Sequence, residues 1–251
     1  YDILGLVFWM LTRMEETGQT EYDQYGRFSA YSSHAFKNGY LERPVVDEWL
    51  AILVQIIKRL WPSLCLVDPS FRMKLSHDVD VASRYRFARF PIVARRMFID
   101  ILKYQDFRSA LLAPWKCFCA SNVLSKHDRY NTFEWIMEQS ETHGLTSAFY
   151  FICGRTHPQL DAEYEPGHPI IRKLMRMIHA RGHEIGLHYE CLDKAIGNID
   201  KAALILKKDL KKIRQLAPVN TISMHGNPST KFDNRDIWKK YKLYEIGRAS
   251  C

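Results

Sequence analysis

The sequence predicts an α/β fold, and three observations predict it. From Met73 onward, short apolar runs alternate with helix-length amphipathic segments. Proline, glycine and asparagine stand where such helices start and stop. The short runs end in carboxylates and imidazoles, the placement expected at the carboxyl ends of parallel strands. The 251 residues are 47% hydrophobic, enough for one large domain or one domain with a smaller companion.

The first seventy residues read as a helical or mixed module, and 71–251 as the main domain. Ile3 to Leu11 is the longest apolar stretch near the start. It lacks the basic flank and cleavage site of a secretory signal and is expected to be a buried helix. Gly18 to Arg27 is a polar turn region. Val46 to Leu60 places apolar residues at 46, 49, 50, 53, 56, 57 and 60, a helical period, with Pro44 before it and Pro62 closing it.

Met73 to His77 then reads as a strand ending in an acidic loop. Arg84 to Arg108 is the densest basic region, with apolar residues interleaved as on an amphipathic helix with a solvated face. Tyr130 to Thr142 is a helix stopped by Gly144, and Ala148 to Ile152 is a strand closed by Cys153-Gly154. Pro169 to Ala180 is a helix with proline in its first turn and Gly182 past its end. Glu184 to His188 is a strand. Asn198 to Leu216 is an amphipathic helix capped by Asn198, and Thr221 to Met224 is a further strand.

The formal net charge of +8 admits an anionic partner, but the basic residues are spread widely. No zinc-finger or RNA-recognition signature is present, so nucleic acid is not the expected partner. No apolar run is long enough for a membrane span. The six cysteines, Cys65, Cys117, Cys119, Cys153, Cys191 and Cys251, form no Cys-x-x-Cys pair. Buried free thiols in a reducing, cytoplasmic setting account for them. Tyr1 in place of methionine, and the ordered-looking Tyr244-Glu245-Ile246-Gly247, lead us to expect a fragment lacking residues at both ends.

Three strand ends carry candidate ligands: His77-Asp78-Val79-Asp80, Leu187-His188-Tyr189-Glu190 and Met224-His225-Gly226-Asn227. A carboxylate with two imidazoles suits Zn²⁺ with an open water position, and cobalt or nickel would take the same set. A second carboxylate nearby could take a proton from that water. Asp78 and Asp80 fall on the same side of an extended segment, where a cation relieves their repulsion. The plainer alternative is that both serve as turn and cap residues.

Leu75-Ser76-His77-Asp78-Val79-Asp80 resembles the first motif of the polysaccharide deacetylase family, the NodB-like carbohydrate esterases. Ala148-Phe149-Tyr150-Phe151-Ile152-Cys153-Gly154 resembles that family's second strand. Arg181-Gly182-His183-Glu184-Ile185-Gly186-Leu187-His188 closely resembles its second motif. The similarity runs from about Met73 to about Gly226. The segment from Tyr1 to Pro69 resembles a module found upstream in one bacterial branch.

The resemblance implies a distorted (β/α) barrel, here incomplete, and metal-dependent removal of acetyl groups from sugars. It implies Asp78 as general base, Asp80 and His188 as metal ligands, and His183 as a packed structural histidine. Two departures stand out. Leu192 occupies the place of the family's second histidine, four residues after His188. Ser223-Met224-His225-Gly226-Asn227-Pro228 stands where the family has an arginine-proline motif. His225 either replaces the lost ligand or acts in proton transfer, or else it only caps the Gly226-Asn227-Pro228 turn. The family's late histidine, its general acid, has no counterpart before Cys251.

The expected function is therefore a metal-dependent hydrolase acting on an N-acetylated sugar or polysaccharide. A non-catalytic glycan-binding relative is the first alternative. A nucleic-acid or membrane-surface protein using the basic 84–108 segment is the second.

Overall fold

A computed structural model describes residues 2–18, 21–23, 28–67, 72–118, 123–153, 164–189, 195–224, 237 and 247–248. The chain divides into two compact units, built chiefly on Tyr1–Phe71 and on Arg72–Gly226.

The first unit is helical. α1 (Ile3–Leu11) is capped by Asp2, whose carboxylate accepts from the Gly5 amide at 2.8 Å. α2 (His34–Lys37) starts at Ser33, whose hydroxyl accepts from the Phe36 amide at 3.1 Å. α3 (Val45–Leu60) carries Asp47 and Glu48 in its first turn and Lys58 and Arg59 in its last, in the sense the helix dipole favours. α1 is a helix as expected, but it is not buried. Leu4, Phe8 and Leu11 are largely exposed. A unit of this size has too little interior to enclose a helix that is apolar all round.

The second unit is α/β. Its strands are β1 (Leu75–Val79), β2 (Ser147–Ile152), β3 (Glu184–Tyr189), β4 (Val219–Met224) and the short β5 (Gly247–Arg248). They lie in the order β1-β2-β3-β4-β5, and every neighbouring pair is parallel. Each connection steps to the next strand in the same direction. Right-handed crossovers therefore bring the connecting helices to one face of the sheet.

Those helices are α6 (Phe133–Thr142), α7 (Pro169–Ala180) and α8 (Ile199–Arg214). Their ends follow the sequence punctuation. Pro169 stands in the first turn of α7, and Gly144 and Gly182 take left-handed φ values of 66° and 83° just past α6 and α7. The Asn198 side chain accepts from the Lys201 amide at 2.9 Å, capping α8. Phe149, Phe151, Ile185 and Leu187 form one core with Met137 of α6, Ile171, Met175 and Ile178 of α7, and Leu206 and Leu210 of α8. β2 is buried along its whole length, as a strand covered on both faces should be.

Two further expectations are corrected. The basic segment is not one helix. It forms α4 (Phe90–Leu102) and α5 (Phe107–Phe118), broken at Gln105, whose φ is 52°. Cys65 is exposed rather than buried; Cys117 is partly buried and Cys153 buried. Cys119, Cys191 and Cys251 lie outside the described residues. Among the described residues no helix is long and apolar enough to cross a membrane.

Candidate functional site

Strand register decides which side chains share a face. Asp78, Tyr150 and Gly186 are Cα partners across β1, β2 and β3, and Ile152 pairs with His188 one pleat further on. Alternation therefore places Asp78, Asp80, Tyr150, Ile152, Gly186 and His188 on the face opposite the helix-packed row of Phe149, Phe151, Ile185 and Leu187. Asp78 lies within β1 rather than in a loop after it, because its backbone still pairs with β2.

His188 is the centre of the arrangement. Its side chain is 2% exposed, and it stands between two carboxylates. Nδ1 lies 3.5 Å from Asp78 Oδ1, and Nε2 lies 3.5 Å from Asp80 Oδ1. Nδ1 also lies 3.2 Å from the Ser223 carbonyl oxygen. A carbonyl only accepts, so Nδ1 carries the proton there, and in the neutral ring Nε2 presents its lone pair towards Asp80. A lone pair facing a carboxylate oxygen is unfavourable unless a proton or a cation lies between them.

The Asp80–His188 spacing is compatible with one ion shared between these two side chains. Two ligands each about 2.0–2.1 Å from a tetrahedral zinc stand roughly 3.4 Å apart. The Nε2–Oδ1 separation is 3.5 Å. The Nδ1–H to carbonyl bond is the usual second interaction that fixes the tautomer and orientation of a ligating histidine. Among the described residues, no group of three or more histidine, cysteine or acidic side chains is arranged to hold a metal. The structure does bring Asp78 and Asp80 each to one ring nitrogen of His188. His225 and Leu192 lie outside the described residues.

His183 sits at the opposite end of β3. It is buried; its Nδ1 accepts from the Ser147 amide at 3.0 Å, and its Nε2 donates to Glu141 at 3.2 Å. Both ring nitrogens are engaged in fastening β2, β3 and α6, which fits a structural role. Arg181 Nε and Nη2 donate to the two Glu141 oxygens at 2.8 Å and 2.6 Å. That pairing first, and the His183 bond after it, hold the Glu141 carboxyl down at about 2. His77 falls on the opposite face of the sheet from Asp78 and His188. Its Nε2 bonds the Ser147 hydroxyl at 3.1 Å, and its ring packs on Phe149.

Three contributors were not visible in the sequence. The Ser223 carbonyl orients His188, and a backbone group leaves no side-chain signal. The buried Tyr164 hydroxyl donates to the Val79 carbonyl at 2.5 Å and accepts from the Ile152 amide at 3.0 Å, beside Asp80. Burial pushes this phenol well above its ordinary range, so it stays a neutral donor. Tyr150 covers Gly186. A Cβ at that glycine would lie 2.3 Å from the ring atoms Cδ1 and Cε1.

The model of a family of unknown function (DUF7033) matches residues 1–62, within the first compact unit. No curated protein and no solved structure matches the chain.

Proposed function

We propose that the chain is a metal-dependent hydrolase that removes acetyl groups from an N-acetylated sugar or polysaccharide, on a scaffold of the deacetylase (β/α)-barrel type. The observation that carries this reading is His188. It is buried between Asp78 and Asp80, with Nδ1 against the Ser223 carbonyl and Nε2 turned to Asp80. The motif resemblance at Ser76–Asp80 and Arg181–His188 supports it. The unbroken strand order supports the scaffold, because chains that wind in one direction curl towards a barrel, whereas doubly wound sheets reverse.

Asp80 and His188 would hold the ion, with His225 from the segment after β4 as the third protein donor. The donor set suits zinc, cobalt or nickel. When bound, such an ion supplies Lewis-acid activation of a water and of the acyl carbonyl. Asp78 accepts the proton that the attacking water gives up. The water oxygen bonds to the acyl carbon, the carbon–nitrogen bond breaks, and the sugar nitrogen leaves as an amine carrying that proton. His188 Nδ1–H, shared between Ser223 and Asp78, keeps the carboxylate and the ring in fixed relation.

The experiment is zinc titration by calorimetry together with acetate release from N-acetylglucosamine oligomers. Wild type should bind zinc at micromolar levels or tighter and release acetate, and His188→Ala should do neither. Failure of wild type to bind any divalent ion at micromolar concentration removes the hydrolase reading.

Leu192, standing where the family carries a ligand, favours a second reading: a glycan-binding relative without turnover. Oligosaccharide binding that is unchanged by chelator, with no acetate released, would select it.

A further inference from the structure

The α4–α5 hairpin is mounted with its large apolar side chains outward. Its buried positions are Val93, Asp100, Ala110 and Ala113, a carboxylate among small and medium apolar residues. Asp100 takes the Arg84 guanidinium in a two-point pair, with Nε donating at 3.0 Å and Nη2 to the other oxygen. The Tyr85 hydroxyl donates to the same carboxylate. Arg96 returns a bond to the Arg84 carbonyl, and Arg86 Nη1 donates to the Cys117 carbonyl at 2.8 Å. Both helices are thus fixed to residues 84–86 by a polar network.

The opposite side is apolar. Phe90, Phe98 and Leu102 of α4 are 76%, 62% and 63% exposed, and Phe107, Leu111 and Trp115 of α5 are 66%, 82% and 69% exposed. Spacings of four and eight residues align each trio into a stripe. An amphipathic helix on a globular protein ordinarily turns such a stripe inward.

The charge around the stripes is predominantly positive. Between Arg89 and Phe118 the acids are Asp100 and Asp106. Asp100 is committed to Arg84, and Asp106 caps α5 by accepting from the Ser109 amide at 2.9 Å. Arg89, Arg95, Lys103 and Arg108 are all exposed.

We infer that the α4–α5 hairpin docks on an anionic membrane surface, with Phe90, Phe98, Leu102, Phe107, Leu111 and Trp115 entering the headgroup–acyl boundary. Aromatic and aliphatic side chains ringed by arginine and lysine are what such an interface accepts. A second copy of the chain would set cation against cation, and a nucleic acid offers nothing to Leu102 and Leu111. The hairpin follows β1 within ten residues of Asp80, so docking would hold the carboxyl end of β1 near the surface. The inference stands independently of the hydrolase reading.

The test is flotation of the full chain with vesicles of phosphatidylcholine and phosphatidylglycerol, against phosphatidylcholine alone. Binding should require the anionic lipid and weaken with salt. The double variant Phe98→Ser, Leu111→Ser should lower partition roughly ten-fold or more. Arg95→Gln and Lys103→Gln should each lower it about five-fold, the equivalent of about 1 kcal/mol per basic residue. Trp115 emission should shift to the blue on binding, and Trp115→Phe should remove that component. No binding of wild type to anionic vesicles at low salt overturns the inference. So does binding that the Phe98→Ser, Leu111→Ser variant retains in full. A lipid-free dimer that the same variant dissolves would assign the face to a second copy instead, and binding to RNA or DNA without binding to vesicles would assign it to nucleic acid.

Discussion

Gly186 on β3 lies under the ring of Tyr150 on β2, so close that a Cβ there would stand 2.3 Å from two ring carbons. The two residues are register partners in one pleat, with Asp78 opposite Tyr150 on the other side. The missing side chain at 186 lets the buried ring lie flat across the sheet, in the row that precedes the His188 row. Backbone freedom is not the reason for glycine here; the space above it is.

Gly186→Ala should therefore destabilise the protein by about 1–3 kcal/mol, the usual cost of overpacking a filled interior. The Thr221 carbonyl oxygen, 3.1 Å from the same point, blocks an easy shift the other way. Pairing the change with Tyr150→Leu should recover part of the loss, giving a favourable coupling in a double-mutant cycle read by urea unfolding. Additive losses would show that the ring is not the obstacle.

The Nε2–Oδ1 approach of His188 and Asp80, at 3.5 Å, separates two roles for the aspartates. Asp80→Asn should weaken zinc binding by about a hundred-fold or more, beyond the loss typical of groups that only support a ligand. Asp78→Asn should leave zinc affinity within about ten-fold and slow acetate release by roughly 10²–10⁴-fold, the range for a lost general base. Zinc should raise the melting temperature of wild type and of Asp78→Asn, but not of Asp80→Asn at the same concentration. Equal zinc affinities in the two variants would contradict the assignment.

The sequence makes the sheet and its helices legible where local rules agree with burial. The apolar run at 148–152, Pro169 with Gly182, and Asn198 all mark elements that form within a residue or two of the expected limits. β1 was harder. It ends the strand order and is half exposed, so its polar residues look like a loop while their backbone still pairs with β2. The α4–α5 face runs against the rule that apolar stripes point inward, because the buried Arg84–Asp100 pair fixes the opposite side. The strand ends put Asp78, Asp80 and His188 among the candidate ligands beside His77 and His225, and the motif resemblance singled these three out. The Ser223 carbonyl was not legible in this way, and neither was Tyr164, an isolated tyrosine with no periodic neighbours.

Tyr164 bridges Val79 and Ile152 where the β1–β2 ladder ends, and both partners are buried beside Asp80. Tyr164→Phe leaves a buried carbonyl and a buried amide without this hydroxyl. The expected loss is about 1–3 kcal/mol in urea unfolding. The hydroxyl also sets the position of Asp80 through the adjoining Val79 carbonyl. Zinc affinity should therefore fall in Tyr164→Phe even at temperatures where the variant is fully folded. Unchanged affinity in the folded variant would limit Tyr164 to a structural role.

Glu141 links stability to pH through its bonds to Arg181 and His183. Its carboxyl is held at about 2 against an ordinary 4.5, chiefly by the Arg181 bond. The folded state binds this proton less readily than the unfolded chain does. The contribution is therefore complete above pH 4.5 and is lost as pH falls towards 2. Glu141→Gln should lower stability above that window and flatten the acid slope within it, measured as the urea midpoint across the acid range. The carboxylate is exposed, so added salt should shrink the difference between the two proteins. An acid slope identical in wild type and Glu141→Gln would show that the Arg181–Glu141–His183 cluster does not couple to folding.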